Sequence, residues 1–324
     1  MVASKLLDPV FLRKLERLRI QARRAFPGTM RGERRSTRRG ASVEFSDFRK
    51  YEAGDDFRHV DWNIYARLER LMLRQFIEEE DVRIDILLDR SSSMHFGEPM
   101  TKFDFARRAA AALAFLAVSS LDRVSILAFD STIGARTRAL RGRGHLISAL
   151  NFLDSVAEDE ERNISGVDFS QEALPVESNA EENLRRSRKR TDLSAVLRGY
   201  QKTSLRPGIL FVISDFFDPG DFRREMKLLA HRGFDVNLIQ VLAQEELRPE
   251  AEGDLLLTDS ETGEEREITA NERAVAAYKA ALSEFTTGLE SFSRANGIGY
   301  MLVTADVAFE DLLMKQLIES RMAE

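Results

Sequence analysis

The sequence contains no cysteine. That absence excludes disulfides, thiolate metal sites and cysteine nucleophiles together, and it fits a reducing compartment. Its four histidines (His59, His95, His145, His231) are scattered and show no zinc-ligand spacing. No Gly-Lys-Ser/Thr occurs, which excludes a P-loop, and there is no Gly-x-Ser-x-Gly nucleophile elbow. The longest strongly apolar stretch, Ala109 to Val118, falls far short of the roughly 20 residues a membrane helix needs. The first residues, MVASKLLDPVFLRKLERL, place charges among the apolar positions and lack a hydrophobic run ending in a small-residue cleavage site. The expectation is a cytoplasmic protein with no membrane anchor of its own.

What is present is an ordinary globular composition of 324 residues, with 43% hydrophobic and 31% charged residues. The charge is uneven. From Lys5 to Arg39 twelve Lys or Arg stand against three acids, although the whole chain carries a net charge of -6. Near-helical spacing of Leu7, Phe11, Leu15, Leu18 and Ile20 predicts an amphipathic helix from Pro9 to Ala25, ended by Pro27-Gly28. Arg31 to Gly40 then reads as a basic loop, either a solvated segment or a dock for an acidic partner or phosphate-rich surface. Residues 1–40 are thus read as a basic helix and loop, and 41–80 as a segment packing on the core. Residues 81–324 are read as the main domain, with a flexible insertion at 157–190 and a hairpin at 253–270.

Within 41–80, Gly54-Asp55-Asp56 marks a turn. Gly54, Asp55, Asp56, Arg58 and Asp61 suggest a buried ion-pair network that clamps this segment to the sheet, with Trp62 as its apolar anchor. Direct partner contact is the other reading of the same residues. Met72 to Ile77 and Val82 to Leu88 look like two strands joined by the acidic turn Glu78 to Asp81. Beyond Leu88 apolar strands alternate with amphipathic helices. Helices are expected at Lys102–Ser120, Leu146–Val156, Leu193–Tyr200, Phe222–Arg232, Glu272–Asn296 and Phe309–Ser320. Further strands are expected at Val124–Phe129, Ile209–Ser214, Val236–Leu242 and Gly299–Val303. The alternation predicts an α/β, Rossmann-like doubly wound, mainly parallel sheet with helices on both faces.

The chemistry concentrates in Ile84-Asp85-Ile86-Leu87-Leu88-Asp89-Arg90-Ser91-Ser92-Ser93. A buried strand delivers Asp89 at its carboxyl end, and the hydroxyls of Ser91 and Ser93 follow at spacings of two and four. In doubly wound sheets that edge holds ligands. A second apolar strand, Ile209 to Ser214, leads to Asp215 in the same way, and Thr191 opens a helix between the two. Asp89, Ser91, Ser93, Thr191 and Asp215 offer oxygen donors alone, which suits Mg2+ or Mn2+. The structural alternative is that the two aspartates cap helices and the serines fill a turn.

This pattern resembles the metal-ion-dependent adhesion site of von Willebrand factor type A domains, with its D-x-S-x-S, later Thr and later strand-end Asp. The resemblance implies that the serines and threonine touch the metal directly or through water, while the aspartates hold its water shell. It also implies that an open coordination position accepts a carboxylate from a protein partner. Thr191 departs from the pattern in following Arg190, where a glycine is usual. The flanking stretches, Ser42 to Tyr51 with Glu52 to Trp62 and Ile213 to Pro219, resemble the bacterial family known as domain of unknown function 58. That resemblance covers roughly Arg31 to Leu242, and implies a partner among MoxR-type AAA+ ATPases and a role in assembling or activating client proteins.

Two other classes compete with a non-catalytic binding module. A metal-dependent hydrolase or phosphatase needs a general base beside the ion, for which Asp215 and His95 are the candidates. The dehalogenase-type D-x-D is absent, because Arg90-Ser91 follows Asp89. Binding of nucleic acid or another anionic surface through the basic N-terminus would show steep salt dependence. The acidic net charge and the lack of aromatics within Arg31 to Arg39 oppose it.

Overall fold

The computed structural model describes residues 44–52, 55–77, 82–119, 122–161, 191–204, 206–218, 220–249, 253–259 and 264–307, and single positions outside these runs. The chain divides into two compact units, Phe26–Val82 and the remainder. In the first, strand β1 (Glu44–Lys50) pairs antiparallel with β2 (Met72–Ile77), with a register shift between Phe45 and Asp47. Between them helix α1 (Trp62–Leu68) starts at Asp61, whose carboxylate accepts from the backbone N–H groups of Asn63 and Ile64. The Asp61 N–H donates to Met72 O, which fixes this turn to β2.

The second unit is built on one sheet. Strand β3 (Arg83–Asp89) leads through helix α2 (Lys102–Ser119) to β4 (Arg123–Phe129), edge strands β5 (Ile133–Arg136) and β6 (Leu140–Arg141), and helix α3 (Leu146–Glu161). Helix α4 (Leu193–Thr203), β7 (Ile209–Ser214), α5 (Arg223–His231), β8 (Asp235–Leu242) and the single turn α6 (Gln244–Leu247) follow. The hairpin β9 (Gly253–Thr258) and β10 (Glu265–Ala270), helix α7 (Glu272–Ala295) and β11 (Gly299–Thr304) come last. The strand order is β11-β8-β7-β3-β4-β5, with β6 also on β4. Five strands are parallel, and β5 and β6 run antiparallel at the edge.

The parallel strands are apolar because both faces of the sheet are covered. Leu87, Leu127, Leu210 and Val212 pack with Leu197 of α4 and Met226 of α5 on one face. Ile84, Ile86 and Leu88 alternate to the other, where α2 crosses β3, β4, β7 and β8. Helix α2 suits this central place. Its Ala-rich sequence favours a helix and keeps the side chains small, and Ala109 to Ala112 are fully buried.

Several expectations need correction. Met72–Ile77 and Arg83–Asp89 are both strands, and they belong to different sheets. Helix α3 continues to Glu161, so residues 157–161 are helical and not part of an insertion. Residues 162–190 lie outside the described residues, as do most of Pro9–Ala25, the basic loop, Gly54 and nearly all of Phe309–Ser320. Trp62 is not a buried anchor. It is 58% exposed and meets Tyr65 edge to face. Arg58 pairs locally and in solvent with Asp56, while Asp55 takes a two-pronged bond from Arg49. Asp55, Asp56 and Asp61 accept from nearby backbone N–H groups and so set turns and a helix start.

Candidate functional site

From β3 the chain passes through α2 to β4 on one side, then returns to β7 on the other side of β3. The carboxyl ends of β3 and β7 therefore flank the switch point of the sheet, where the divergent connections leave a crevice. Leu88 lies opposite Ile213 in register, so Asp89 and Ser214 are the next pair outward. Both loops that carry the predicted oxygens leave from this point.

Asp89 is 1% exposed. Its Oδ1 accepts from Ser91 N–H at 2.9 Å, and its Oδ2 accepts from Ser214 Oγ at 2.5 Å. Ser214 Oγ itself accepts from Phe216 N–H at 2.9 Å, so its hydroxyl proton is directed at the carboxylate. The hydroxyls of Ser91 and Ser93 lie 3.1 Å apart, both within the turn that follows β3. Asp215 is buried one residue beyond β7, close enough for its charge to act on Asp89. The four residues Asp89, Ser91, Ser93 and Asp215 are brought together. Thr191 precedes α4, whose first residue Leu193 donates its N–H to Asp218 Oδ2 at 2.6 Å, three residues after Asp215.

The loop after β7 is held in an unusual conformation. Phe216 is fully buried with φ 61°, a left-handed backbone that a bulky residue adopts only when its surroundings compel it. This turn lets Phe217 N–H reach back to Asp215 Oδ1 at 3.0 Å. Gln240 on β8 secures the same point by donating to Asp215 O, and Tyr300 on β11 donates to Gln240.

Other groups at this edge were not foreseen. Lys102, the first residue of α2, is fully buried and donates to Asp215 Oδ2 at 2.8 Å and to Glu246 Oε1 at 2.6 Å. Glu246 in turn accepts from Ala243 N–H through Oε2. Its pKa is raised, chiefly by burial and further by Asp215, against the opposing pull of Lys102. Asp130 follows β4 and pairs with Arg90 at 2.9 Å, so three neighbouring parallel strands run into aspartate. Ser214 and Asp130 had a signal in sequence, a polar residue directly ending an apolar strand. A lysine opening a helix was the signal for Lys102, since the N-terminal dipole disfavours a cation unless acids surround it.

Does this donor set suit a divalent cation? Among the described residues, no three His, Asp or Glu side chains are arranged to hold one. An ion here would rest on two carboxylates and the serine hydroxyls, a hard oxygen set of the kind Mg2+ and Mn2+ take. The charges fit as well. Asp89, Asp215 and Glu246 oppose the single ammonium of Lys102, which leaves two negative charges in a buried cluster when all four are ionised.

Burial, and next the charge of Asp215, push the Asp89 pKa up to about 7 against the bonds from Ser214 and Ser91. The folded protein then holds a proton that the unfolded chain, with an Asp near 3.9, releases. Stability from this group is present at low pH, falls as pH rises from about 4 to about 7, then levels. With divalent ions chelated, urea unfolding of wild type and Asp89→Asn at pH 5, 6, 7 and 8 measures it. The wild type is expected to lose ground to the variant up to pH 7 and no further. A constant difference would show that Asp89 is already ionised at pH 5.

The fold and this site define an α/β protein with an oxygen-lined crevice at the switch point of a mainly parallel sheet. The chain belongs to the family described as protein of unknown function DUF58, whose sequence model matches residues 47–285. Among its relatives are the uncharacterized protein Rv1480 of Mycobacterium tuberculosis and the uncharacterized protein Mb1516 of Mycobacterium bovis. Each is 26% identical over 296 residues, which span 89% of this chain and 85% of the relative. Similar solved structures include the conserved hypothetical protein BatB from Bacteroides thetaiotaomicron, at 16% identity and a TM-score of 0.40. An aerotolerance-related membrane protein from Bacteroides fragilis matches at 17% identity and the same score. Each covers 75% of this chain and is itself covered completely. No helix among the described residues is long and apolar enough to cross a membrane.

Proposed function

We propose that this chain is a non-catalytic, divalent-metal-dependent protein-binding module of the von Willebrand factor type A kind. Its site takes Mg2+ or Mn2+ through Asp89, Ser91, Ser93, Thr191 and Asp215, and the ion accepts a carboxylate from a protein partner. The module works in the cytoplasm as an adaptor for a MoxR-type AAA+ ATPase that assembles or activates client proteins. One observation carries the reading: the Ser91 and Ser93 hydroxyls, 3.1 Å apart, stand at the end of β3 beside buried Asp89, and Asp215 ends the adjacent β7. A caps-and-turns account leaves that convergence of buried acids without a use.

Binding is favoured over hydrolysis because Asp215, one of the two candidate bases and the one in the site, is already engaged. Asp215 Oδ2 already accepts from Lys102 Nζ and Asp215 Oδ1 from Phe217 N–H, so both of its oxygens are occupied by protein donors instead of being turned to a water. The test is affinity purification of the tagged chain from its own cells, in Mg2+ and in EDTA. An AAA+ ATPase is expected to co-purify with wild type in Mg2+ only, and not with Ser91→Ala under either condition. Equal recovery with Ser91→Ala would defeat the reading.

A further inference from the structure

The reading above leaves Lys102 without a role. It is fully buried at the first position of an 18-residue helix, where the helix's own N–H groups repel a cation. Removing an ammonium from water is costly, and a packing role at such a place is met as well by an apolar side chain. What Lys102 contributes is charge. Its Nζ contacts Asp215 and Glu246 at once, and the ring of Phe217 lies 5.2 Å away. Glu246 is fixed in place by Ala243 N–H, so the ammonium cannot leave Asp215 without abandoning a second, part-buried acid.

We infer that Lys102 is a built-in counter-cation of the site: it neutralises the buried acids when no ion is bound, and it weakens the hold on any ion that binds beside them. This rests on the proposed divalent-ion site, and it adds that ion affinity follows the net charge of Asp89, Asp215, Glu246 and Lys102. Lys102 is a positioning and tuning residue, not a ligand, because it carries only donors. Glu246 acts through Lys102 by drawing part of its charge away from Asp215. The two residues therefore push affinity in opposite directions. Replacing Lys102 by an uncharged chain of similar length leaves three acids unopposed, and an incoming dication no longer meets a fixed positive charge beside Asp215. Neutralising Glu246 does the reverse.

The experiment is Mn2+ titration of the full chain, followed by electron paramagnetic resonance, for wild type, Lys102→Met, Lys102→Arg and Glu246→Gln. Lys102→Met is expected to bind Mn2+ at least about tenfold tighter than wild type. Glu246→Gln is expected to bind about threefold weaker or worse, and Lys102→Arg to stay close to wild type. Thermal melts add a second readout: Lys102→Met is less stable than wild type in EDTA and recovers with saturating Mn2+. A purely structural lysine gives a Lys102→Met variant whose Mn2+ affinity is unchanged or lower, and that result overturns the inference alone. Absence of saturable Mn2+ binding by wild type overturns the metal site and the inference together. Should Lys102→Met fail to fold, unchanged or tighter binding by Glu246→Gln overturns the charge argument by itself.

Discussion

Asp89→Asn and Ser91→Ala are each expected to weaken divalent-ion binding at least about a hundredfold while the chain stays folded. The two substitutions act differently. Asn is nearly the shape of Asp, so its oxygen still accepts from Ser91 N–H, and its amide meets Ser214 Oγ in place of the short hydroxyl bond seen now. What disappears is one full negative charge from a buried pair with Asp215, the quantity that draws a dication into the crevice. Ser91→Ala leaves all charge in place and removes a single hydroxyl, the one 3.1 Å from Ser93 Oγ. Loss in both variants therefore points to a site that needs charge and donor geometry together. Mn2+ titration measures the loss, and urea unfolding in EDTA shows whether the fold survives. Asp89→Asn should equal or exceed wild-type stability above pH 7, since the ionised Asp89 is penalised by burial and by Asp215. Wild-type Mn2+ affinity in either variant would leave the two serines as turn residues and the two aspartates as structural acids.

Much of the parallel sheet could be read from the sequence, because strands buried on both faces write themselves as continuous apolar runs. Ile86 to Leu88 and Ile209 to Ile213 are such runs, and each ends in a polar residue that has no reason to be there for packing. The small unit was far less legible. Strand β1, EFSDFRK, has four charged residues in seven and no run of apolar residues. Helix α1 buries none of its seven residues: Trp62, Tyr65 and Leu68 share a face that stays exposed, and the clearest mark in sequence is Asp61 at the cap. The acidic link Glu78 to Asp81 reads only as a turn between two neighbouring strands. Nothing local tells that the second of them begins a different sheet.

The candidate site divides in the same way. Asp89, Ser91, Ser93 and Asp215 stand at strand ends, and a strand end is a local property. Lys102 and Glu246 belong to the site only because β8 lies next to β7 and α2 starts above them. Their contacts span 113 and 144 residues of sequence. Such pairs are set by topology, and no pattern of spacing reveals them. The lysine still left a trace, a cation at a helix start, which is a local rule broken where the chemistry lies.

The relation between Asp89 and Asp215 is set by how β3 lies against β7, and that contact is tightest at the opposite end. Gly208 sits just before β7, where an added Cβ would stand 2.4 Å from the carbonyl oxygen of Arg83 and 3.1 Å from its Cβ. The obstruction is backbone, so no side-chain rotation relieves it. Nor can the chain recede, because Gly208 O accepts from Asp235 N–H at the start of β8. Gly208→Ala is therefore expected to cost about 3 kcal/mol or more, by forcing β7 away from β3 or out of register with it. Because strands transmit such displacement along their length, about 20 Å at six residues' remove, Mn2+ affinity should fall as well, although Gly208 is nowhere near the donors. Gly144→Ala supplies the comparison, for its added Cβ meets nothing within 4 Å. Urea midpoints and Mn2+ titrations for the two variants test the claim. If Gly208→Ala unfolds at the wild-type midpoint, the spacing of β3 and β7 is not fixed where the glycine lies. If it loses stability but binds Mn2+ as wild type does, the two aspartates do not depend on that spacing for their convergence.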